Sequence, residues 1–209
     1  MAEATRDIEF QPGRFGRRDG EPGLNLRERT GFALATVVAR RDQVAHASRL
    51  AEQAFGVVLP DRPQATSGRE VTFLWSGAAQ WFALAPAREI DIETRLAGPL
   101  SGSVAVFDQS DSRVMLELWG PRVRDVLAKG FSIDLDPPAF RVGDVALTSV
   151  SHLNVLLWQA GDEPRYRIFV IRTWFGSFWR WLAPSAAGFG GEVLPPLEYA
   201  QAEPIASSA

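Results

Sequence analysis

Residues 107–130 constrain the fold more than any other part of this chain. They read Phe-Asp-Gln-Ser-Asp-Ser-Arg-Val-Met-Leu-Glu-Leu-Trp-Gly-Pro-Arg-Val-Arg-Asp-Val-Leu-Ala-Lys-Gly. A strand end, a polar turn, an alternating strand, a tight Gly-Pro corner and a short helix follow in that order. Asp108, with Ser110 and Ser112, suits a turn held by side-chain to backbone hydrogen bonds. Pro121 fits the first helical position, where its missing N–H is not needed and its fixed φ already suits a helix. Val123, Val126 and Leu127 then share one helical face, and Gly130 stands where a helix-ending glycine is expected.

The flanking segments keep the same alternation. The run from Phe32 to Ala39 predicts a buried strand. Asp42 is placed to cap a helix reaching about Phe55, with Val44, Ala47, Leu50, Ala51 and Ala54 on one face and Gly56 ending it. Residues 71–76 and 80–85, joined by Gly77-Ala78-Ala79, predict a hairpin. Ile92 and Leu96 predict a brief helix stopped by Gly98-Pro99, and residues 104–107 a further strand. The first half thus reads β-α-β-β-α-β. The second half repeats the rhythm, with a strand at 114–118, a helix at 121–129, strands at 145–151, 153–159 and 166–172, and a final helix from Trp174. The expected class is α+β, two interleaved β-α-β-β-α-β-like halves with antiparallel sheets.

A length of 209 residues suffices for one large domain built from two sub-structures. Hydrophobic residues at 46% and charged residues at 22% are ordinary globular values. The net charge of −3 points to no nucleic-acid partner and no anionic membrane. Lys129 is the only lysine, so the cationic side chains are almost all arginine, a bias of composition rather than of phosphate binding. The absence of cysteine removes disulfides, thiolate nucleophiles and cysteine-ligated metals. Two histidines, His46 and His152, are too few for a histidine-rich metal site. No apolar signal segment or membrane-length run is present, so a soluble cytoplasmic protein is expected.

Residues 1–30 hold Phe10, Phe15, Leu24 and Leu26 as isolated anchors in polar sequence, and are expected as an extended arm, disordered or ordered against a partner. The tail 188–209, with Pro195 and Pro196, reads as a solvated extension. The segment 174–182 packs five large aromatics into nine positions. Trp174, Phe178, Trp181 and Leu182 form a stripe expected to face the core, with Phe175 beside it, and Pro184 should end the helix near Ala183. Trp179 falls off the stripe beside Arg180, on the side expected to meet a partner.

Catalytic patterns are weak. Asp108, Asp111 and Glu117 are close in sequence, but the first suits a turn. His46 has no matching acid or nucleophile, and His152 sits at a strand junction where it can meet a backbone carbonyl or a partner chain. No nucleophile elbow or phosphate loop is found.

Several segments carry a resemblance: Asp-Gln-Ser-Asp-Ser-Arg at 108–113, Gly-Pro-Arg-Val-Arg-Asp-Val-Leu-Ala-Lys-Gly at 120–130 and Ile-Asp-Leu at 133–135. Ser-His-Leu-Asn-Val-Leu-Leu-Trp-Gln at 151–159 and Gly-Ser-Phe-Trp-Arg-Trp-Leu at 176–182 complete the set. In this order and spacing they resemble the folate-binding fold of the aminomethyltransferase (glycine-cleavage T-protein) superfamily, and within it the gamma-subunit family of heterotetrameric sarcosine oxidase. The resemblance places the folate-binding-fold domain at 31–187. It implies a cytoplasmic complex that oxidises sarcosine with oxygen. The products are glycine, hydrogen peroxide and formaldehyde, or methylene-tetrahydrofolate when tetrahydrofolate is present. It implies FAD, FMN, NAD, zinc and tetrahydrofolate on the partner alpha, beta and delta subunits, and no cofactor or metal on this chain.

Folate-dependent members of the superfamily carry an aspartate that aligns here with about Leu153-Asn154-Val155. No Asp or Glu occurs between Asp144 and Asp162. Asn154 can hydrogen-bond a pterin, but it cannot supply negative charge or take a proton. The expectation is a non-catalytic structural subunit, with Arg113, His152, Trp179 and Arg180 as interface candidates. The alternative is a stand-alone folate-binding one-carbon transfer enzyme, which would need a carboxylate from Glu21 or Glu28. An iron–sulfur repair or tRNA-modifying relative would need the cysteine motif that this chain lacks.

Overall fold

A computed structural model describes residues 10–87 and 91–200; positions 1–9 of the expected arm and 201–209 of the expected tail lie outside the described residues. The chain begins with β1 (Gly13–Phe15), β2 (Leu24–Thr30), β3 (Phe32–Ala39) and α1 (Val44–Phe55). Next come β4 (Ala65–Ser67), β5 (Thr72–Gly77), β6 (Gln80–Pro86), α2 (Ile92–Ala97) and β7 (Val104–Asp108). The second half holds β8 (Arg113–Trp119), α3 (Val123–Leu127), β9 (Val145–Val150), β10 (Leu153–Gly161) and β11 (Arg165–Ile171). A 3-10 turn at Arg172–Trp174 leads into α4 (Phe175–Ala187), followed by β12 (Gly191–Val193) and β13 (Leu197–Glu198). The expected α+β class and antiparallel rhythm are both present.

The described residues fall into two compact units. One comprises those of Met1–Thr30, Ser112–Val142 and Leu147–Leu197. Its strands lie in a sheet ordered β1-β12-β2-β8-β11-β10-β9, with β13 beside β2. The other is built mainly from Gly31–Asp111 and carries the sheet β4-β5-β6-β3-β7. There, Ala35, Val37, Phe73, Trp81 and Ala83 of the strands pack with Ala47 and Ala51 of α1 and Ile92 and Leu96 of α2. The small residues Ala33, Ala35, Ala83 and Ala85 on paired strands leave room for those helices.

The polar turn forms as its residue types dictate. The Ser110 N–H donates to Asp108 Oδ1 at 2.8 Å, and the Ser110 hydroxyl donates to the same oxygen at 2.6 Å. Ser110 Oγ in turn accepts from the Leu34 N–H at 3.1 Å, tying the turn to β3. The Gly-Pro corner also has its physical reason. Gly120 has φ +127°, and a Cβ there would approach the Gly23 carbonyl oxygen at 2.7 Å.

Elsewhere the structure corrects the sequence expectations. The arm does not extend to residue 30, because Leu24–Thr30 is a full strand paired with β8, and Leu24 and Leu26 are completely buried. The tail is ordered well past Gly188: Gly191–Val193 pairs in parallel with β2 and antiparallel with β1, and Val193 and Tyr199 are buried. Asp42 does not cap α1. It has φ +60°, and the N-cap position belongs to Gln43, with no side-chain cap bond.

Helix α3 is shorter than expected, and Pro121 sits in the turn before it, where the Val123 N–H bonds the Gly120 carbonyl. Gly130 is not in the left-handed region. It is small because the Trp181 indole would lie 2.6 Å from a Cβ placed there. Trp181 is itself held by Phe131 at 5.8 Å and Phe178 at 5.5 Å. Gly130→Ala should therefore lower stability by about 1–3 kcal/mol through overpacking. An unconstrained glycine would instead gain from the loss of unfolded-state freedom. The sign of the shift in the urea midpoint decides between the two.

The aromatic helix is rotated relative to expectation. Its buried side chains are Phe175, Phe178, Trp179, Leu182 and Ala186, while Trp174 is exposed at 38% and Trp181 is half-buried. Two causes combine: Trp174 falls in the 3-10 turn, out of phase with the helix, and the N-terminal segment covers Trp179 from outside. Pro184 does not end α4, which runs on to Ala187. The proline lies on the exposed side of the helix, where its ring does not compete with the packed face.

Candidate functional site

The chemistry-bearing side chains of this protein gather on one face of the eight-stranded sheet. Register puts Arg27 of β2 opposite Glu117 of β8, Glu117 opposite Arg167 of β11, and Arg167 opposite Trp158 of β10. The next row of the same face holds Asn25, Trp119 and Arg165. Arg29 and Met115 form the row on the other side. The opposite face is apolar, with Leu24, Leu26, Leu116, Leu118 and Ile168 buried. Tyr166 belongs to that face and accepts a hydrogen bond from Arg124 Nε of α3 at 3.1 Å. Burial raises the Tyr166 pKa, against the opposing effect of Arg124.

Glu117 is the centre of the polar face. Its Oε2 accepts from Arg29 at 3.1 Å and from Arg165 at 3.4 Å, and its Oε1 accepts from Arg167 Nε at 3.2 Å. The Glu117, Arg29 and Arg167 side chains are almost wholly buried, at 1%, 2% and 4% exposure. Burial alone would raise the carboxyl pKa, but Arg167, Arg29 and Arg165 outweigh it and hold Glu117 below its ordinary value. A carboxylate fixed in this way is neither a proton donor nor a base at neutral pH. The indoles complete the cluster: Arg27 and Arg165 stack on Trp119 at 4.8 and 5.1 Å, and Arg167 on Trp158 at 5.0 Å.

The arginine cluster was missed in the sequence reading, although it leaves a signal. Arg27-x-Arg29, Glu117-x-Trp119 and Arg165-x-Arg167 each repeat at the two-residue strand period, which sets each pair on one face. Two arginine pairs on the strands either side of one Glu-x-Trp pair describe a paired polar row.

The sequence-predicted residues are spread over separate elements. Arg113 opens β8, where burial lowers its pKa and its carbonyl accepts from Arg172 at 3.1 Å. Trp179 is only 7% exposed, covered by Phe10 and Phe15 with ring centroids at 5.1 and 5.3 Å. Arg180 is exposed on α4 and donates to Ser177 Oγ at 3.0 Å. His152 is exposed in the two-residue turn between β9 and β10, as His46 is on α1.

That turn is strained. Ser151 and His152 have φ of +48° and +66°, the pairing that a type I′ hairpin requires and that Asn-Gly ordinarily supplies. Ser151→Asn combined with His152→Gly should raise the stability of the chain by about 1 kcal/mol, measurable as a higher melting temperature.

The sheet register also bears on the missing carboxylate. Asn154 is exposed and lies on the Glu117 face of β10, whereas Glu28 lies on the Leu116 face of β2. Burial raises the Glu28 pKa and Arg172 opposes the rise. A carboxylate on the opposite face cannot stand in at Asn154. Among the described residues, no three His, Asp or Glu side chains are grouped to hold a metal ion, and no helix is long and apolar enough to cross a membrane.

Known proteins place this architecture. Aminomethyltransferase T of the glycine cleavage system from Bartonella henselae shares the fold, with a TM-score of 0.57 at 13% identity over 83% of this chain and 48% of that one. A chain of the heterotetrameric sarcosine oxidase from Corynebacterium sp. U-96 superposes with a TM-score of 0.72 at 28% identity, over 84% of this chain and 88% of that one. The sarcosine oxidase subunit gamma of an Arthrobacter species is 34% identical over 141 residues, 65% of this chain and 68% of that protein. The subunit gamma of Corynebacterium sp. strain U-96 is 31% identical over 69% of this chain and 70% of its own length. Residues 40–188 match the pattern of the sarcosine oxidase gamma subunit family. This chain belongs to that family.

Proposed function

We propose that the chain is the gamma subunit of a heterotetrameric sarcosine oxidase and contributes structure rather than chemistry to it. The observation that carries this reading is the family match over residues 40–188, together with a superposition on 88% of a chain from such a complex. Glu117 supports the non-catalytic part, since both its oxygens are engaged by arginines and its carboxyl is held ionised. The alpha, beta and delta partners, and the FAD, FMN, NAD, zinc and tetrahydrofolate on them, belong to this proposal. So does a cytoplasmic location.

The partner-facing surface in this reading includes exposed Arg180 and His152, joined by the exposed Trp174. Tryptophan and arginine are the residues that most often anchor interfaces. Arg113 and Trp179 take part from within, by shaping the strand and helix that present them. A tagged pull-down from the native host tests the reading, with absorbance spectra and a sarcosine-dependent peroxide assay on the eluate. A yellow, active complex holding three further chains is the expected result. A colourless lone protein that binds tetrahydrofolate overturns it in favour of the stand-alone enzyme.

A further inference from the structure

We propose that the outer end of the arginine row is a binding site for an oxyanion, a carboxylate or phosphate group, taken between Arg27 and Arg165 beside Trp119. Arg27 stands directly opposite Glu117, yet that carboxylate is used up by Arg29, Arg165 and Arg167. Among the described residues Arg27 makes no ion pair or hydrogen bond, and its buried Nε has no partner. Its one contact of note is the stack on Trp119 at 4.8 Å. Arg165 stacks on the same indole at 5.1 Å and has the longest of the three ion pairs to Glu117, 3.4 Å, on an oxygen that Arg29 already holds more closely. Its side chain is 30% exposed, so this end of the row opens to solvent while the Arg29 and Arg167 end is closed.

Two guanidiniums thus share one indole and a fraction of one carboxylate. A cation drawn partly out of water without a counter-charge is costly. An arginine fork already fixed by stacking loses little freedom when it binds a planar oxyanion. Both terms favour an incoming oxyanion and neither favours chloride, which cannot use the fork. The same chemistry has two sources: a small free molecule, or an acidic side chain of another subunit.

The test uses the full chain by itself, with formate or inorganic phosphate replacing chloride at constant ionic strength. The wild-type melting temperature should rise by about 4 °C near saturation. Arg27→Gln should abolish the rise. Arg27→Lys, which keeps the charge and loses the fork, should retain less than half of it and serves if the glutamine variant does not fold. The measurement is then repeated on the assembled complex. A rise in both assigns the site to a small molecule; a rise only in the lone chain assigns it to a partner's acidic side chain. No rise in the lone wild-type chain, or an equal rise in Arg27→Gln, overturns the proposal and leaves the family reading untouched.

Discussion

Glu117→Ala should be among the most damaging single substitutions in this protein, lowering stability by about 3–5 kcal/mol or preventing folding altogether. The reason lies in what stays behind. Arg29 and Arg167 are 2% and 4% exposed, and both bond the Glu117 carboxylate. Removing it leaves two buried guanidiniums on one sheet face without the carboxylate that lay between them. Glu117→Gln keeps the shape and one acceptor but not the charge, and should still cost more than about 2 kcal/mol. The informative companion is Glu117→Met with Arg29→Leu and Arg167→Leu. Replacing a buried ion cluster by apolar side chains of similar volume is often neutral or stabilising, so this triple variant should recover most of the loss. Urea unfolding followed by circular dichroism reads all three. A Glu117→Ala chain within about 1 kcal/mol of wild type would show that the cluster is not what holds β2, β8 and β11 together.

The same carboxylate gives the stability a pH dependence of definite sign. The folded pKa of Glu117 lies below the ordinary 4.5. Its contribution is therefore complete above pH 4.5 and is lost as the pH falls through the lower folded value. Glu28 acts in the opposite sense. Its folded pKa is raised above 4.5 by burial, so its contribution is complete below pH 4.5 and is lost as the pH rises through the raised value. Glu117→Gln should remove the acid-side loss and leave the opposite trend of Glu28 in place.

The contrast between these two glutamates explains what was legible in the sequence. Order and type of elements were readable because each rests on local chemistry: the Asp108–Ser110 turn, the αL Gly56 after α1, and the hairpin around Ala78-Ala79. Gly56 has φ +71° and its N–H bonds the Glu52 carbonyl, as a helix-ending glycine should. What failed was whatever long-range pairing decides. β2 reads as a polar arm because Arg27, Glu28 and Arg29 look solvated, and the partner that lets Arg29 be buried, Glu117, lies 88 positions away. Gly130 resembles a helix stop in sequence, whereas its constraint comes from Trp181. The stripe of α4 was misplaced for the same reason, since the covering rings of Phe10 and Phe15 lie more than a hundred residues away in the chain. Hydrophobic periodicity assigns a tryptophan to the core or to the surface, but it cannot see a third possibility, a side chain buried by a remote segment of its own chain.

Trp179→Ala should cost the lone chain about 3–5 kcal/mol, as expected for emptying a buried aromatic site. The indole is the hub of a ring cluster: Phe10 meets it at 84° and Phe15 at 70°, both edge-on, and Phe10 also meets Phe175 at 5.2 Å. Backbone pairing fixes the same segment. Phe15 lies opposite Gly191 in the β1–β12 ladder, and the Arg17 N–H bonds the Ala187 carbonyl at 2.8 Å. A Cβ on Gly191 would collide with the Phe15 ring. Gly191→Ala should therefore displace Phe15 and loosen the N-terminal segment while keeping the Trp179 indole, giving a smaller stability loss but faster proteolysis before Leu24. Together the two variants separate an internal anchor from a surface kept for another subunit. Were Trp179 a partner contact, its alanine variant would melt with the wild-type chain and fail only in assembly. With the indole 7% exposed beneath two phenylalanines, the loss should instead be complete in the chain alone, before any partner is added.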